Sequence, residues 1–270
     1  MNKWNYFLQS VNKIIHGDLS DSNKIQHWKK LKNDKRVKSL NPYHLGEFLS
    51  FKNLLTEHKI DKIKVLDHGC GGGATLCFLA LKGFKDIWGV TVNFDKNPDV
   101  VKAVRNLNRF FQLIFKESKI NRVKIYDGYN LPFIDKSFDL VFSQQVIEHL
   151  EPSKKIDFIL EEKRIIKDSG VIYHQVPHRL VPYEAHTKVW LIHWLPKNLY
   201  KFFFKKNFEK CEFINNHLFL DWPWSLKNKI RKNDLLVNDV TYKRLVLKLN
   251  NSELKGFSLF IRILFQKIFI

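Results

Sequence analysis

The sequence predicts an α/β fold built on a doubly wound, mostly parallel sheet, and two observations support this. Short apolar runs alternate with stretches of helical periodicity between residues 63 and 178, which is the pattern of successive strand–helix–strand units. The first run, at 63–66, leads into Asp67, then four glycines within five residues, then a second apolar segment at 76–81. That order indicates a strand, a tight turn and a helix, and glycine in such a turn lets the backbone approach a ligand closely.

The glycine turn has a spacing that narrows the choice of ligand. Gly69, Gly71 and Gly73 alternate, and Asp67 precedes them by two residues. A dinucleotide-binding turn would read G-x-G-x-x-G with an acid about twenty residues later, and a phosphate-binding loop would end in Gly-Lys-Ser/Thr. An acid in front of the glycines suits a ligand with a positively charged amino group, and this pattern fits S-adenosylmethionine.

Later segments continue the alternation of strands and helices. Residues 86–93 read as a second strand, residues 122–128 as a third and residues 170–177 as a fifth, while the phrase at 131–139 introduces a fourth. Ligands of open α/β sheets bind at the carboxyl ends of the strands. The residues predicted at those ends are Thr91, Asn93, Asp127, Gly128, Ser143 and Gln144.

With these segments in place, the sequence resembles the class I S-adenosylmethionine-dependent methyltransferases, and most closely their type 11 group. The first motif of that family reads (D/E)-x-G-x-G-x-G, and the later phrases follow in the family's order across residues 63–178. The resemblance implies a Rossmann-like, seven-stranded sheet with S-adenosylmethionine as cofactor. The cofactor-binding residues that it implies are Asp67, Gly69, Cys70, Gly71, Gly73, Thr91, Asn93, Asp127, Gly128, Ser143 and Gln144.

One of these positions departs from the family pattern. Thr91 stands where an acid usually binds the ribose hydroxyls, in an ending that is similar to the one in relatives of cyclopropane-fatty-acid synthase. Thr and Asn side chains hydrogen-bond a diol without adding charge. The alternative interpretation is that Thr91 and Asn93 only begin a turn.

Three residues are candidates for a catalytic role in methyl transfer. A base is needed only when the acceptor is a hydroxyl or a protonated amine. His149 follows the fourth strand, with Glu148 beside it to orient the imidazole or to bind a cation-like group, and His178 follows the fifth strand. Because many relatives also have the dipeptide Glu-His in this segment, the alternative is that this pair has a structural role.

The segment after the fifth strand is predicted to contact the acceptor, since the family places substrate-recognition insertions there. Its candidates are Tyr183, Glu184 and His186. The histidines between residues 174 and 193 also suggest a metal site, but no two of them stand in the compact H-E-x-x-H arrangement. The sequence therefore predicts no metal site.

Charge and composition limit the partners and the location. The formal net charge of +19 lies mostly in residues 1–64 and 196–270, which favours an anionic neighbour such as a membrane surface or RNA, or else reflects a Lys-rich composition. Phrases typical of adenine, glutamine and cytosine methyltransferases are absent, which makes nucleic acid the less favoured partner. Neither a signal peptide nor a membrane-spanning apolar run is present, so a cytoplasmic location, with peripheral contact at the inner membrane face, is expected.

Three parts are predicted along the chain. Residues 1–60 carry two helical patterns and form an N-terminal cap, either as a lid or as a cover on the sheet; residues 61–180 form the cofactor-binding core. Residues 181–270 hold the substrate-recognition insertion and the end of the same domain. The apolar stretch 254–270 is either buried or an in-plane membrane anchor.

The function predicted from these observations is methyl transfer from S-adenosylmethionine to a small-molecule, sugar-like or lipid-linked acceptor. The alternatives are an RNA methyltransferase and a non-catalytic cofactor-binding adaptor with basic flanks. Steep salt dependence of RNA binding would favour the RNA methyltransferase.

Overall fold

The computed structural model describes residues 2–40, 60–179, 183, 184, 186, 188–196, 199, 202 and 208–240. The second helical pattern of the predicted cap, at 43–58, and the apolar stretch 254–270 lie outside the described residues.

Helices and strands alternate through the centre of the chain as the sequence predicts. The helices are α1 (Lys3–His16), α2 (Asp21–Asn33), α3 (Lys35–Lys38), α4 (Ala74–Lys82), α5 (Pro98–Phe115), α6 (Lys155–Ile165), α7 (Phe208–His217) and α8 (Pro223–Arg231). The strands are β1 (Lys64–His68), β2 (Asp86–Val92), β3 (Val123–Tyr126), β4 (Phe138–Gln144), β5 (Ile166–Gln175), β6 (Tyr183–Glu184) and β7 (Val189–Trp190).

The main sheet is parallel and has the order β3-β2-β1-β4-β5. Strand β1 lies at its centre, with Asp67 opposite Gly89 on one side and Phe142 on the other. The prediction of a doubly wound parallel sheet is confirmed, but the sheet has five strands in the described part of the chain rather than the seven that the resemblance implies. Strands β6 and β7 form a separate antiparallel pair.

Both faces of the sheet are buried, because successive side chains of a strand point to opposite faces. On β1, Val65 belongs to the apolar cluster that contains Phe78 and Phe111 of helices α4 and α5. The next residue, Leu66, belongs to a second cluster that contains Ile165 at the end of α6. Near-continuous apolar strands of this kind are typical of a parallel sheet covered by helices on both sides.

The N-terminal helices pack on the first of these clusters. Phe7 of α1 makes an edge contact with Phe78, and Trp28 of α2 does so with Phe110, at centroid distances of 6.0 and 5.0 Å. Residues 3–38 therefore share a core with the sheet. No helix within the described ranges combines the length and the apolar character needed to cross a membrane.

Candidate cofactor and acceptor site

The residues predicted to bind the cofactor lie together at the carboxyl edge of the parallel sheet. Asp67 is the penultimate residue of β1, Thr91 lies near the end of β2, and Asp127 directly follows β3. Ser143 and Gln144 end β4. The topology thus brings to one edge residues that are far apart in the sequence.

The glycine turn leaves open space on the outer side of the edge. Gly69 and Gly73 have φ angles of +95° and +72°, and a Cβ on either would lie 2.4 Å from Val146 or 2.3 Å from Leu107. A Cβ on Gly71 or Gly72 would meet no atom within 4 Å. The turn is therefore packed on its inner side and free on its outer side. Helix α4 begins directly behind it and directs its first backbone N–H groups there.

Asp67 is a buried acid, and burial is the main cause of the shift in its pKa. The side chain is 3% exposed, and burial raises the pKa of its carboxyl group to about 8. Salt bridges to this carboxylate are absent from the described part of the chain. A ligand with an ammonium group would supply the missing positive charge, so the residues of this edge fit the amino-acid part of S-adenosylmethionine.

The predicted residues at the ends of β2 and β3 already take part in local turns. The side chain of Asn93 accepts a hydrogen bond from Asn97 N (2.8 Å) and donates one to Asn97 O (3.1 Å). Asp127 accepts from the backbone N–H groups of Asn130 and Tyr129, both at 2.8 Å, and these bonds lower the pKa of its carboxyl group. Both side chains are thus held rigid before any ligand binds.

The other predicted cofactor residues are Ser143, Gln144, Gly128, Cys70 and Thr91, and their surroundings differ. The Ser143 hydroxyl and the Gln144 side-chain nitrogen are buried and have no hydrogen-bond partner among the described residues, which a bound polar ligand would correct. Gly128 has a φ angle of +86°. Cys70 is 8% exposed, and burial raises the pKa of its thiol, so it is neutral at ordinary pH. Thr91 is half-buried and pairs through its backbone with Ile125.

A cluster of acid and imidazole groups follows β4. The 3-10 turn Ile147–His149 presents Glu148 and His149, and the segment after β5 brings His186 beside them. One ligand atom from each of these three residues lies within 4.8 Å of the others. The His149 and His186 rings are 5.1 Å apart at 84°. Sequence reasoning named all three residues but gave no reason for them to meet.

The hydrogen bonds of the two imidazoles are well defined. His149 Nδ1 lies 2.7 Å from His217 O, and His186 Nδ1 lies 2.6 Å from Glu184 Oε1. Burial lowers the pKa of His149, whereas the bond to Glu184 raises the pKa of His186. Glu148 is fully buried, which raises the pKa of its carboxyl group to about 7.

Among the described residues, His178 is not part of this cluster. It is half-buried, and its pKa is lowered mainly by burial, while Asp239 raises it and His193 lowers it further. Tyr183 lies in β6, opposite Trp190.

A cavity of about 290 Å³ opens next to the cluster. Leu218 and Phe219 line it, and the same segment is bonded to the cluster because Phe219 N donates to Glu148 O. Arg179 and Asp221 line it as well. Sequence reasoning missed this cavity, because the lining residues come from four separate stretches of the chain, around residues 152, 179, 193–196 and 214–221.

A buried polar network behind the glycine turn was also missed. His68 Nδ1 lies 2.8 Å from Glu162 Oε1, and His68 Nε2 lies 2.8 Å from the Tyr126 hydroxyl. His174 Nε2 lies 2.9 Å from the other Glu162 oxygen. The sequence signal for this network is a histidine that ends a strand with a buried apolar centre.

Replacing Glu162 by Gln is expected to lower the free energy of unfolding by about 2 kcal/mol, because two buried imidazoles lose a charged partner. Burial alone would raise the pKa of Glu162, but His174 and His68 lower it overall. The stabilisation is therefore present above the carboxyl group's usual pKa and is lost as the pH falls below it. Urea unfolding measures the change. The matched variant Asp157→Asn, on the exposed side of the same helix, is expected to change stability by less than about 0.5 kcal/mol, and an equal loss in both variants would contradict the network's role.

Residues 66–174 match the sequence profile of the Methyltransf_11 family, a methyltransferase domain. Residues 66–174 therefore form a methyltransferase domain of this family. The matched range runs from the middle of β1 through nearly all of β5 and includes the whole glycine turn. The resemblance implies S-adenosylmethionine as the cofactor of this domain.

Individual relatives are similar over different lengths. Norajmaline N-methyltransferase of Rauvolfia serpentina is 31% identical over 45% of this chain and 38% of its own length. Tocopherol O-methyltransferase of Arabidopsis thaliana is 32% identical over 47% of this chain and 34% of its own. Ubiquinone biosynthesis O-methyltransferase of Rickettsia canadensis is 28% identical over 71% and 77%. The chain thus spans less than half the length of the two plant enzymes that it matches.

Proposed function

We propose that this protein transfers a methyl group from S-adenosylmethionine to a hydroxyl or amine of a small-molecule, sugar-like or lipid-linked acceptor. The observation that carries the proposal is a buried, electrostatically uncompensated Asp67 in front of a glycine turn with an open outer side. When bound, S-adenosylmethionine supplies a methyl group on a positively charged sulfur, which the acceptor's lone pair displaces in line.

The cofactor is proposed to lie along the carboxyl edge of β1 to β4. Asp67 would bind its ammonium group, and the open face of Gly71 would admit it close to the backbone. Thr91 and Asp127 would face the ribose and adenine as the family resemblance implies. The unpartnered Ser143 hydroxyl would gain a hydrogen bond.

His149 is the proposed proton acceptor when no metal ion is bound to it. Its Nδ1–H donates to His217 O, which leaves the lone pair on Nε2. Burial lowers the pKa of His149, so the imidazole is neutral at neutral pH and able to take a proton. Removing such a group reduces turnover by about 100-fold.

The variant His149→Gln is therefore expected to lose about 100-fold in turnover with a hydroxyl acceptor, while its affinity for S-adenosylhomocysteine stays unchanged. Initial rates with labelled cofactor measure the first quantity and calorimetry the second. His27→Gln, a change at a half-buried α2 histidine whose Nδ1 also faces a backbone carbonyl, is the control. Full activity of His149→Gln would remove His149 as the base.

The acceptor is proposed to enter from the cavity beside the cluster. A volume of about 290 Å³ is at the small end of the usual range for small-molecule pockets, about 300–1,000 Å³. The relatives are named for norajmaline, tocopherol and ubiquinone biosynthesis, and these names support a small-molecule acceptor. A lipid-linked acceptor is supported by the exposed aromatic side chain of Trp194, whose sequence neighbours His193 and Leu195 line the cavity.

One labelling experiment tests the acceptor class. The protein is incubated with methyl-labelled S-adenosylmethionine and a cell extract, which is then separated into water-soluble small molecules, lipids, RNA and protein. We expect label in the small-molecule or lipid fraction, and none with Asp67→Asn. Label in RNA would favour the RNA methyltransferase, and cofactor binding with no label in any fraction would favour the adaptor.

A further inference from the structure

The cluster beyond β4 has a composition that methyl transfer does not require. Glu148, His149 and His186 come from two separate segments, and one ligand atom of each lies within 4.8 Å of the others. We propose that these three side chains form a binding site for a divalent first-row transition-metal ion. The proposal replaces the sequence prediction that the chain has no metal site, and it does not depend on the identity of the methyl acceptor.

The two histidines are oriented as metal ligands are. A metal-binding imidazole almost always donates its second ring N–H to a carbonyl or a carboxylate, which fixes the tautomer and the ring. His149 has such a bond to His217 O, and His186 has one to Glu184 Oε1. In both rings the hydrogen bond is made by Nδ1, so Nε2 is the nitrogen available to an ion.

Glu148 supplies the third ligand and the strongest reason for a cation. Its side chain is fully buried, and neither carboxylate oxygen has a hydrogen-bond partner in the described part of the chain. The nearest buried cation, Lys155, donates instead to Asp221 and to Phe219 O. A buried carboxylate in this position is unfavourable unless a positive charge is bound.

The donor set selects the kind of ion. Two imidazoles and one carboxylate suit Zn²⁺, Co²⁺, Fe²⁺ or Mn²⁺, whereas Mg²⁺ and Ca²⁺ prefer oxygen ligands. Ligand atoms around a tetrahedral Zn²⁺ are about 3.4 Å apart, so binding draws the three groups together by side-chain rotation.

Three protein ligands leave coordination positions open. The carbonyl oxygen that bonds to His149 belongs to His217, and the next two residues, Leu218 and Phe219, line the cavity. Metal binding changes the role of His149, because one Nε2 lone pair does not hold both an ion and a proton. In the metal-loaded protein His149 is a ligand.

The test is titration of the full, chelator-treated chain with Co²⁺, followed by visible absorption, and with Zn²⁺, followed by calorimetry. We expect one ion per chain and visible bands typical of a nitrogen- and oxygen-coordinated Co²⁺. His186→Ala and Glu148→Gln are each expected to weaken binding at least about tenfold, and Glu184→Gln, which loses the partner of His186, by about 10- to 100-fold. His27→Ala, far from the cluster in sequence, controls for surface histidines and should bind as the wild type does.

Circular dichroism and binding of S-adenosylhomocysteine by the same samples show that each variant is folded. Glu148→Gln is especially informative, because the amide has nearly the shape of the buried carboxylate without its charge. Failure of the wild type to bind Co²⁺ and Zn²⁺ would overturn the proposal. Equal affinity in the wild type, His186→Ala and Glu148→Gln would also overturn it, while the cofactor site would still stand on its own binding data.

Discussion

Replacing Asp67 by Asn is expected to weaken binding of S-adenosylhomocysteine by about 100-fold and, at the same time, to stabilise the ligand-free protein. The affinity falls because the ammonium group of the ligand loses a charged partner, which is worth about 2–3 kcal/mol. The ligand-free protein gains stability because a buried carboxylate with no ion-pair partner in the described part of the chain is replaced by a neutral side chain of the same shape. A purely structural aspartate would behave differently, since its loss would destabilise the fold.

The pH dependence of this variant gives a second readout. The pKa of Asp67 is raised from 3.8 to about 8 in the folded protein, so the native state binds more protons than the unfolded state between these values. The contribution of Asp67 to stability therefore falls as the pH rises through that range. The difference in melting temperature between Asp67→Asn and the wild type should be larger at about pH 9 than at about pH 5. A difference that is the same at both pH values would contradict a raised pKa at Asp67.

Replacing Gly69 by Ala is expected to lower the free energy of unfolding by about 3 kcal/mol, through a strained backbone and a clash. The φ angle of Gly69 is +95°, and the added Cβ would lie 2.4 Å from Val146. Gly72→Ala is the matched control, because Gly72 does not have a left-handed φ angle and its Cβ would meet nothing within 4 Å. We expect that control to stay within about 0.5 kcal/mol of the wild type.

Urea unfolding of the two glycine variants measures both changes. The contrast follows from the inner side of the turn being packed and the outer side being open. Equal destabilisation by both substitutions would mean that the turn is packed on both sides, and it would remove the space assigned to the cofactor. Gly72→Ala is therefore also the better variant for testing how closely a ligand approaches the backbone.

Local patterns made much of the fold predictable. A strand, its glycine turn and the helix behind it follow from neighbouring residues, so β1 and α4 lie where the apolar runs around Asp67 place them. The same holds for β2, α5, β3, β4 and β5. Neighbouring residues do not determine how many strands a sheet has. The sheet of the described residues has five strands, whereas the resemblance implies seven.

The position of a candidate site residue was predictable where that residue ends a strand, and not where two segments meet. The return of the chain after β5 places His186 beside His149, and no spacing rule in the sequence connects them. His68 meets Glu162 for a similar reason, since α6 crosses behind β1. Asn93 lies in the turn that the alternative interpretation of the sequence proposed. Asp127 was named as a cofactor residue, and its use in a local turn depends on backbone geometry that the sequence does not display.

The cofactor assignment is tested most directly by calorimetric titration of the wild-type protein with S-adenosylhomocysteine, and with NAD in parallel. We expect S-adenosylhomocysteine to bind one to one with a dissociation constant in the micromolar range, about 8 kcal/mol of free energy, and NAD not to bind. A folded protein that binds neither ligand, or that binds NAD more tightly, would contradict the assignment of Asp67 and the glycine turn to this cofactor.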